Sequence, residues 1–271
     1  MHRAFRQGST DETEVIRGLG ISSRSLSETT GVLVEWVRKR DGTRYFACVN
    51  AHSAELAHRD ATFMTALREA NMLVADGVGL LVASWILGGC IRERVTGPDL
   101  FLSVSEKLAR AGEYSAYYLG GSEATLERIR ARHVERFPGL RIAGMYSPPY
   151  RETFPDDDLA AMAERVNQAA PDVLWIGLGA PKQEKWILAN RDRLRVPLCG
   201  PVGAMFDYFA GNVPMPPKWV ERAGLHWAHR LYSDPRRIWR RSLDIPVFVA
   251  RTAADRLRGI RVTGPLPSRL P

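Results

Sequence analysis

Three cysteines in 271 residues are too few for a disulfide framework, and Cys48, Cys90 and Cys199 are widely separated, odd in number and without C-x-x-C spacing. A small disulfide-stapled scaffold and a zinc knuckle are both excluded. No secretory signal opens the chain, because the first thirty or so residues are polar and charged and hold no apolar h-region. A reducing cytoplasm fits these absences, and residues 1–28 are expected to be a flexible tail. Also missing are the G-x-G-x-x-G dinucleotide fingerprint, the G-x-x-x-x-G-K-[ST] phosphate loop and the G-x-S-x-G nucleophile elbow. Nor is there a clean membrane-spanning run: Met72 to Ile91 reaches the roughly 20 residues a bilayer requires only by including Asp76 and four glycines.

What is present reads as an ordinary globular chain, 45% hydrophobic and 25% charged, long enough to bury a sizeable core. Short apolar runs alternate with helical periodicity. "RYFACVNA", "NMLVAD", "YSAYYLGG", "RIAGMY", "DVLWIGLG" and "VPLCGPVGA" read as strands, and segments such as "ATLERIRARHVERF" and "LAAMAERVNQAA" carry apolar residues at three- and four-residue spacing. Strands apolar on both faces belong to a mainly parallel sheet flanked by helices, an α/β fold of Rossmann-like kind. The alternation stops near Asn212 to Pro217, within "GNVPMPPK". The expected division is therefore an α/β core over 29–215, a basic helical appendage over 216–258 and a flexible end over 259–271.

The segment "LVADGVGLLVASWILGG", Leu73 to Gly89, carries a single charge, Asp76. A strand ending at Ala75, a turn, and a helix from about Val78 to Leu87 would place that carboxylate at a strand's carboxyl end beside a helix amino terminus. Open α/β sheets bind ligands at that edge. Two further strand-to-helix turns, through Gly120 and Gly121 and through Gly177 and Gly179, offer glycines that let backbone approach a phosphate. Packing explains either turn taken singly; together they favour a phosphate-bearing ligand. For Asp76, a helix cap and a catalytic base are both open readings.

The formal charge of +8 is concentrated near one end. Between Lys218 and Arg258 ten basic residues face four acidic ones, a local excess of +6, with Trp219, Trp227, Trp239 and Phe248 interleaved. A basic amphipathic segment of this kind suits an anionic bilayer, and a solvated helical face is the competing reading. Nucleic acid is not an expected partner, since no recognised binding motif accompanies the charge.

Six ordered blocks, "VNAHSAEL", "LVADGVGL", "RVTGPDLF", "YYLGG", "WIGLGAPKQEKWI" and "GPVGAMFDYFAG", followed by "PPKWVERAGLHWAHRLYSDPRRIWRR", resemble the WecG/TagA/CpsF family of bacterial glycosyltransferases over approximately Val32 to Leu257. The resemblance implies inverting, metal-independent transfer of a sugar from a UDP-sugar to a polyprenyl-pyrophosphate-linked acceptor, in the biosynthesis of exopolysaccharide, capsule or cell-wall polymers. It implies no cofactor beyond the donor substrate, and a peripheral place on the cytoplasmic face of the plasma membrane; self-association is left open. By the same resemblance Asp76 is the general base, Arg94 meets donor phosphate or developing charge, and Gln183 is a polar site residue. Substrate contacts are expected at Asn50, His52, Gly77, Gly120, Gly121, Gly177, Gly179 and Glu184. Arg230, Arg237 and Arg240 of the appendage would reach the diphosphate. Asn50 and His52 depart from a Thr-x-Asn pattern common in the family, which leaves their roles open.

Rival chemistries are weaker. Asp156 and Asp158 have the D-x-D spacing of metal-dependent transferases, but they follow Pro155 and precede a helical pattern, as an acidic helix start does. A nucleotide- or NAD-dependent α/β enzyme shares the sheet edge without the fingerprint, and a non-catalytic module for anionic lipid or nucleic acid would account for the charge alone.

Overall fold

A computed structural model describes residues 13–151, 153–215 and 243–262. The six apolar runs become six strands: β3 Arg44–Val49, β4 Met72–Ala75, β5 Ser115–Gly120, β6 Arg141–Tyr146, β7 Val173–Gly177 and β8 Leu198–Pro201. Two more, β1 Thr13–Ile16 and β2 Leu19–Ser22, precede them. All eight share one sheet in the order β1-β2-β4-β3-β8-β7-β5-β6, parallel throughout except for the β1–β2 hairpin. The fold is the mainly parallel α/β sheet the alternation predicts.

Side chains alternate between the two faces with the period of two that extended backbone imposes. Phe46, Val74, Tyr118 and Trp175 point to one side, where they pack with α1 (Leu26–Lys39), α5 (Gly97–Ala111), α6 (Glu123–Arg136) and α9 (Met205–Ala210). Ala47, Val49, Leu73 and Ala75 point to the other, against α2 (Ala51–Ala57), α3 (Ala61–Arg68) and α4 (Val78–Leu87), while Leu119, Leu174 and Ile176 meet α7 (Asp156–Ala169) and α8 (Lys182–Asn190). A final helix, α10 (Asp244–Leu257), lies on α4 and α2.

Two of the expected boundaries differ from the structure. Residues 13–22, assigned to a flexible tail, form the edge hairpin, closed by Arg17 and Gly18 at positive φ. Its inward row includes a charge, since Glu14 is 4% exposed and accepts from Ser84 Oγ at 2.7 Å and from the amides of Cys90 and Ile91. An inward-pointing acid on an edge strand reverses the hydrophobic pattern that marks a strand in sequence. The second difference is α10. Phe248 and Thr252 are fully buried and Phe248 joins the core beneath α2 and α4, so the last part of the expected appendage is a piece of the folded body. Residues 216–242 lie outside the described residues.

Candidate active site

A parallel sheet with helices on both faces collects the carboxyl ends of its strands at one edge, and each helix that follows a strand begins there. The cleft at this edge is lined by residues just beyond β3, β4, β7 and β8. It holds a cavity of about 170 Å³ that opens to solvent. The amino termini of α2, α5 and α8 open onto it, and the positive ends of their dipoles favour an anionic occupant.

Asp76 enters where β4 ends. The strand leaves the sheet after Ala75, the Asp76 amide bonds Val49 O at 2.7 Å, and Gly77, at φ +143, turns the chain into α4. The side chain is half-buried and lines the cleft. Its charge reaches Cys48 at the end of β3, whose thiol is held well above its ordinary range, first by burial and then by Asp76, Glu184 and Asp99. Cys48 thus stays a thiol and is no nucleophile.

Arg94 lines the same cleft, half-buried, without a hydrogen-bond or ion-pair partner among the described residues. The surface ion pair with Glu93 that sequence allows is not formed. Immediately after it, Thr96, Gly97 and Pro98 line the cleft with the first turn of α5, which Thr96 caps by accepting from the Asp99 amide at 3.2 Å. These residues were missed as site residues by sequence reasoning, although T-G-P-D, a capping hydroxyl, a proline and an acid, is a helix start that could have pointed to them.

Gln183 and Glu184 form the floor, 4% and 2% exposed. Gln183 Oε1 accepts from the Gly179 amide at 3.2 Å and its Nε2 donates to Glu184 Oε1 at 2.9 Å, which leaves that amide one N–H for a ligand. Glu184 Oε2 is buried without a hydrogen-bond partner among the described residues. Burial pushes the Glu184 carboxyl up to about 7, against the opposing effect of its Gln183 hydrogen bond.

Asn50 and His52 line the β3 side. The Asn50 side chain caps α2, accepting from the Ser53 amide at 3.0 Å. His52 bonds Asp244 of α10, 2.6 Å from Nδ1 to Oδ2, which is not the arrangement of a sealed core histidine.

The glycines divide. Gly179 lines the cleft, and Gly77 shapes the turn beside Asp76. Gly120, Gly121 and Gly177, read from sequence as phosphate approaches, do not line it. A Cβ on Gly120 would stand 2.7 Å from the Gly177 carbonyl carbon, and one on Gly177 would stand 2.4 Å from the Phe206 ring. Close packing requires both. The D-x-D residues sit in the first turn of α7, away from the cleft, with Asp158 paired to Arg151 at 3.1 Å. Among the described residues no group of three metal-binding side chains occurs. Arg230, Arg237 and Arg240 lie outside the described residues.

Comparison with known proteins gives this edge a context. The glycosyl transferase WecG/TagA/CpsF family matches residues 14–262. The chain belongs to that family. It is similar to proteins named N-acetylglucosaminyldiphosphoundecaprenol N-acetyl-beta-D-mannosaminyltransferase: one of Bacillus spizizenii, 31% identical over 71% of this chain and 72% of the relative, and one of Bacillus subtilis, 27% identical over 88% and 90%. A Staphylococcus aureus relative of the same name is 24% identical over 77% of this chain and 79% of its own. As a WecG/TagA/CpsF glycosyltransferase the chain is an enzyme, which sets aside both the NAD-dependent and the non-catalytic readings. The family match begins in β1 and ends past α10, so the hairpin and the last helix are parts of the family's fold.

Proposed function

We propose that this glycosyltransferase moves a sugar, N-acetylmannosamine by analogy with the names of its relatives, from a UDP-sugar to a polyprenyl-diphosphate-linked N-acetylglucosamine, with inversion and without a metal ion. The observation that carries the proposal is the meeting of Asp76, Arg94 and Gln183, scattered over a hundred residues, in one cleft at the carboxyl edge of the sheet.

Inversion takes one displacement. The Asp76 carboxylate accepts the proton of the acceptor hydroxyl, the freed oxygen pair forms a bond to the donor's anomeric carbon, and the bond from that carbon to the diphosphate oxygen breaks with its electrons leaving on UDP. Arg94, unspent by the protein and able to grip two oxygens, neutralises the charge that appears on the leaving group, and the positive end of the α5 dipole adds to it. Gln183 holds one N–H toward the sugar. Arg230, Arg237 and Arg240, which the family resemblance assigns to the diphosphate, complete the proposed donor contacts.

Membrane association is part of the same proposal. Among the described residues no helix is long and apolar enough to cross a bilayer, and the acceptor's lipid would hold the enzyme's basic segment against an anionic surface. The test is incubation of the full chain with a panel of UDP-sugars and a short-chain lipid diphosphate carrying N-acetylglucosamine, followed by mass analysis. A product heavier by one N-acetylhexosamine, formed equally in EDTA, is expected; no product with any donor, or activity lost to EDTA and restored by a divalent ion, would contradict the proposal.

A further inference from the structure

His52 and Asp244 are 192 positions apart in the chain and in contact in the fold. His52 lines the cleft from the first turn of α2, its side chain 30% exposed, and Asp244 opens α10. The Asp244 carboxylate is shared between two donors: Oδ2 lies 2.6 Å from His52 Nδ1, and Oδ1 accepts from Arg59 Nη2 at 3.2 Å. An ionised carboxylate has no proton to give, so in the neutral imidazole Nδ1 carries the hydrogen and Nε2 keeps a lone pair. The two nitrogens stand on opposite edges of the ring. With Nδ1 turned to α10, Nε2 belongs to the edge left for the cleft.

We propose that Asp244 is a positioning residue of the transferase, holding His52 in the Nδ1–H tautomer so that Nε2 meets a substrate sugar hydroxyl as a hydrogen-bond acceptor. The proposal rests on the glycosyl-transfer reading, which puts hydroxyl-bearing substrates in the cleft. A lone pair accepts from a hydroxyl and repels a phosphate oxygen. The His52 wall is thereby the sugar side of the cleft, and the part with Arg94 and the α5 amino terminus is the diphosphate side. A residue near the end of the chain thus sets the polarity of a wall built near its beginning.

Asp244→Asn separates this role from simple docking of α10. Arg59 has only N–H groups to offer, so the Asn carbonyl oxygen stays on Arg59 and its NH2 turns to His52. Nδ1 must then accept, and the ring proton moves to Nε2. The helix keeps its seat while the tautomer reverses. Long-range 1H–15N spectra of the full chain, with the His52 signals identified by their loss in His52→Gln, are expected to show Nδ1–H in the native protein and Nε2–H in Asp244→Asn. In transfer assays Asp244→Asn is expected to raise the KM for sugar substrate roughly tenfold, the effect of one hydrogen bond, with a smaller change in kcat. Added to His52→Gln it should cost nothing more. Arg251→Gln, which loosens the same helix at Glu55 without touching His52, should leave KM near native.

Nε2–H in the native protein, an equal KM effect from Arg251→Gln, or an undiminished Asp244→Asn effect in the His52→Gln background would each overturn the proposal. Failure of the native chain to transfer any sugar, with the Nδ1–H tautomer observed, would overturn the transfer reading and the hydroxyl contact while supporting the orientation of the ring.

Discussion

Glu184 shows what burial does to a single carboxyl. Its folded value of about 7 lies above the 4.5 of an exposed glutamate. Between those two pH values the folded chain holds a proton that the unfolded chain has released, so stability falls as pH rises through this window. Below about 4.5 the group contributes no penalty; above about 7 the penalty is complete, of order 3 kcal/mol at most. Glu184→Gln keeps an acceptor for Gln183 and removes the charge. It is expected to raise the melting temperature relative to the native chain more at pH 8 than at pH 5; a difference independent of pH in thermal denaturation would contradict this. Asp76 was legible in the sequence because it is the lone charge in an apolar stretch. Asp244 was not, because its role exists only through a contact made across the fold, and Cys48 was not, because its apolar neighbours mark it as core.

Elements were legible where one local rule acted alone. The helix expected over Val78 to Leu87 forms over those residues, since Gly77 frees the entry turn and Gly88, at φ +83, ends it. The inner strands were readable because both faces are covered and their positions favour apolar residues, and β6, at the sheet edge with no fully buried residue, was readable from its apolar run alone. The β1–β2 hairpin escaped because its buried row contains Glu14, whose partners, Ser84 and two loop amides, are some 70 residues away in sequence. Gly120 and Gly177 were misassigned for a related reason: glycine demanded by a phosphate and glycine demanded by a neighbouring ring look alike in sequence. Gly177→Ala distinguishes them. A methyl group 2.4 Å from the Phe206 ring forces repacking, and a loss of about 1–3 kcal/mol in denaturant unfolding is expected, with UDP affinity of the folded protein unchanged. Unchanged stability with lost UDP binding would restore the phosphate role.

At the scale of the whole molecule, the sheet gathers the site and the chain's far end closes on it. α10 is seated by the fully buried Phe248, by Arg251 on the buried Glu55, and by Asp244 on His52 and Arg59. Removal of everything after Met215 would therefore uncover core as well as delete the basic segment, so a truncated chain is expected to lose stability along with activity. The basic excess of +6 between Lys218 and Arg258 should bind the full chain to vesicles containing anionic lipid, each cation near the surface adding about 1 kcal/mol. Cosedimentation is expected to fall as salt rises; equal binding to neutral vesicles at every salt concentration would contradict an electrostatic attachment. The central claim is the proton transfer at the carboxyl end of β4, and its most direct measurement is turnover of Asp76→Asn with UDP-sugar and lipid-diphosphate acceptor. The account predicts a variant that melts like the native protein, still binds UDP, and transfers at least about 10²-fold more slowly; turnover near the native rate would contradict it.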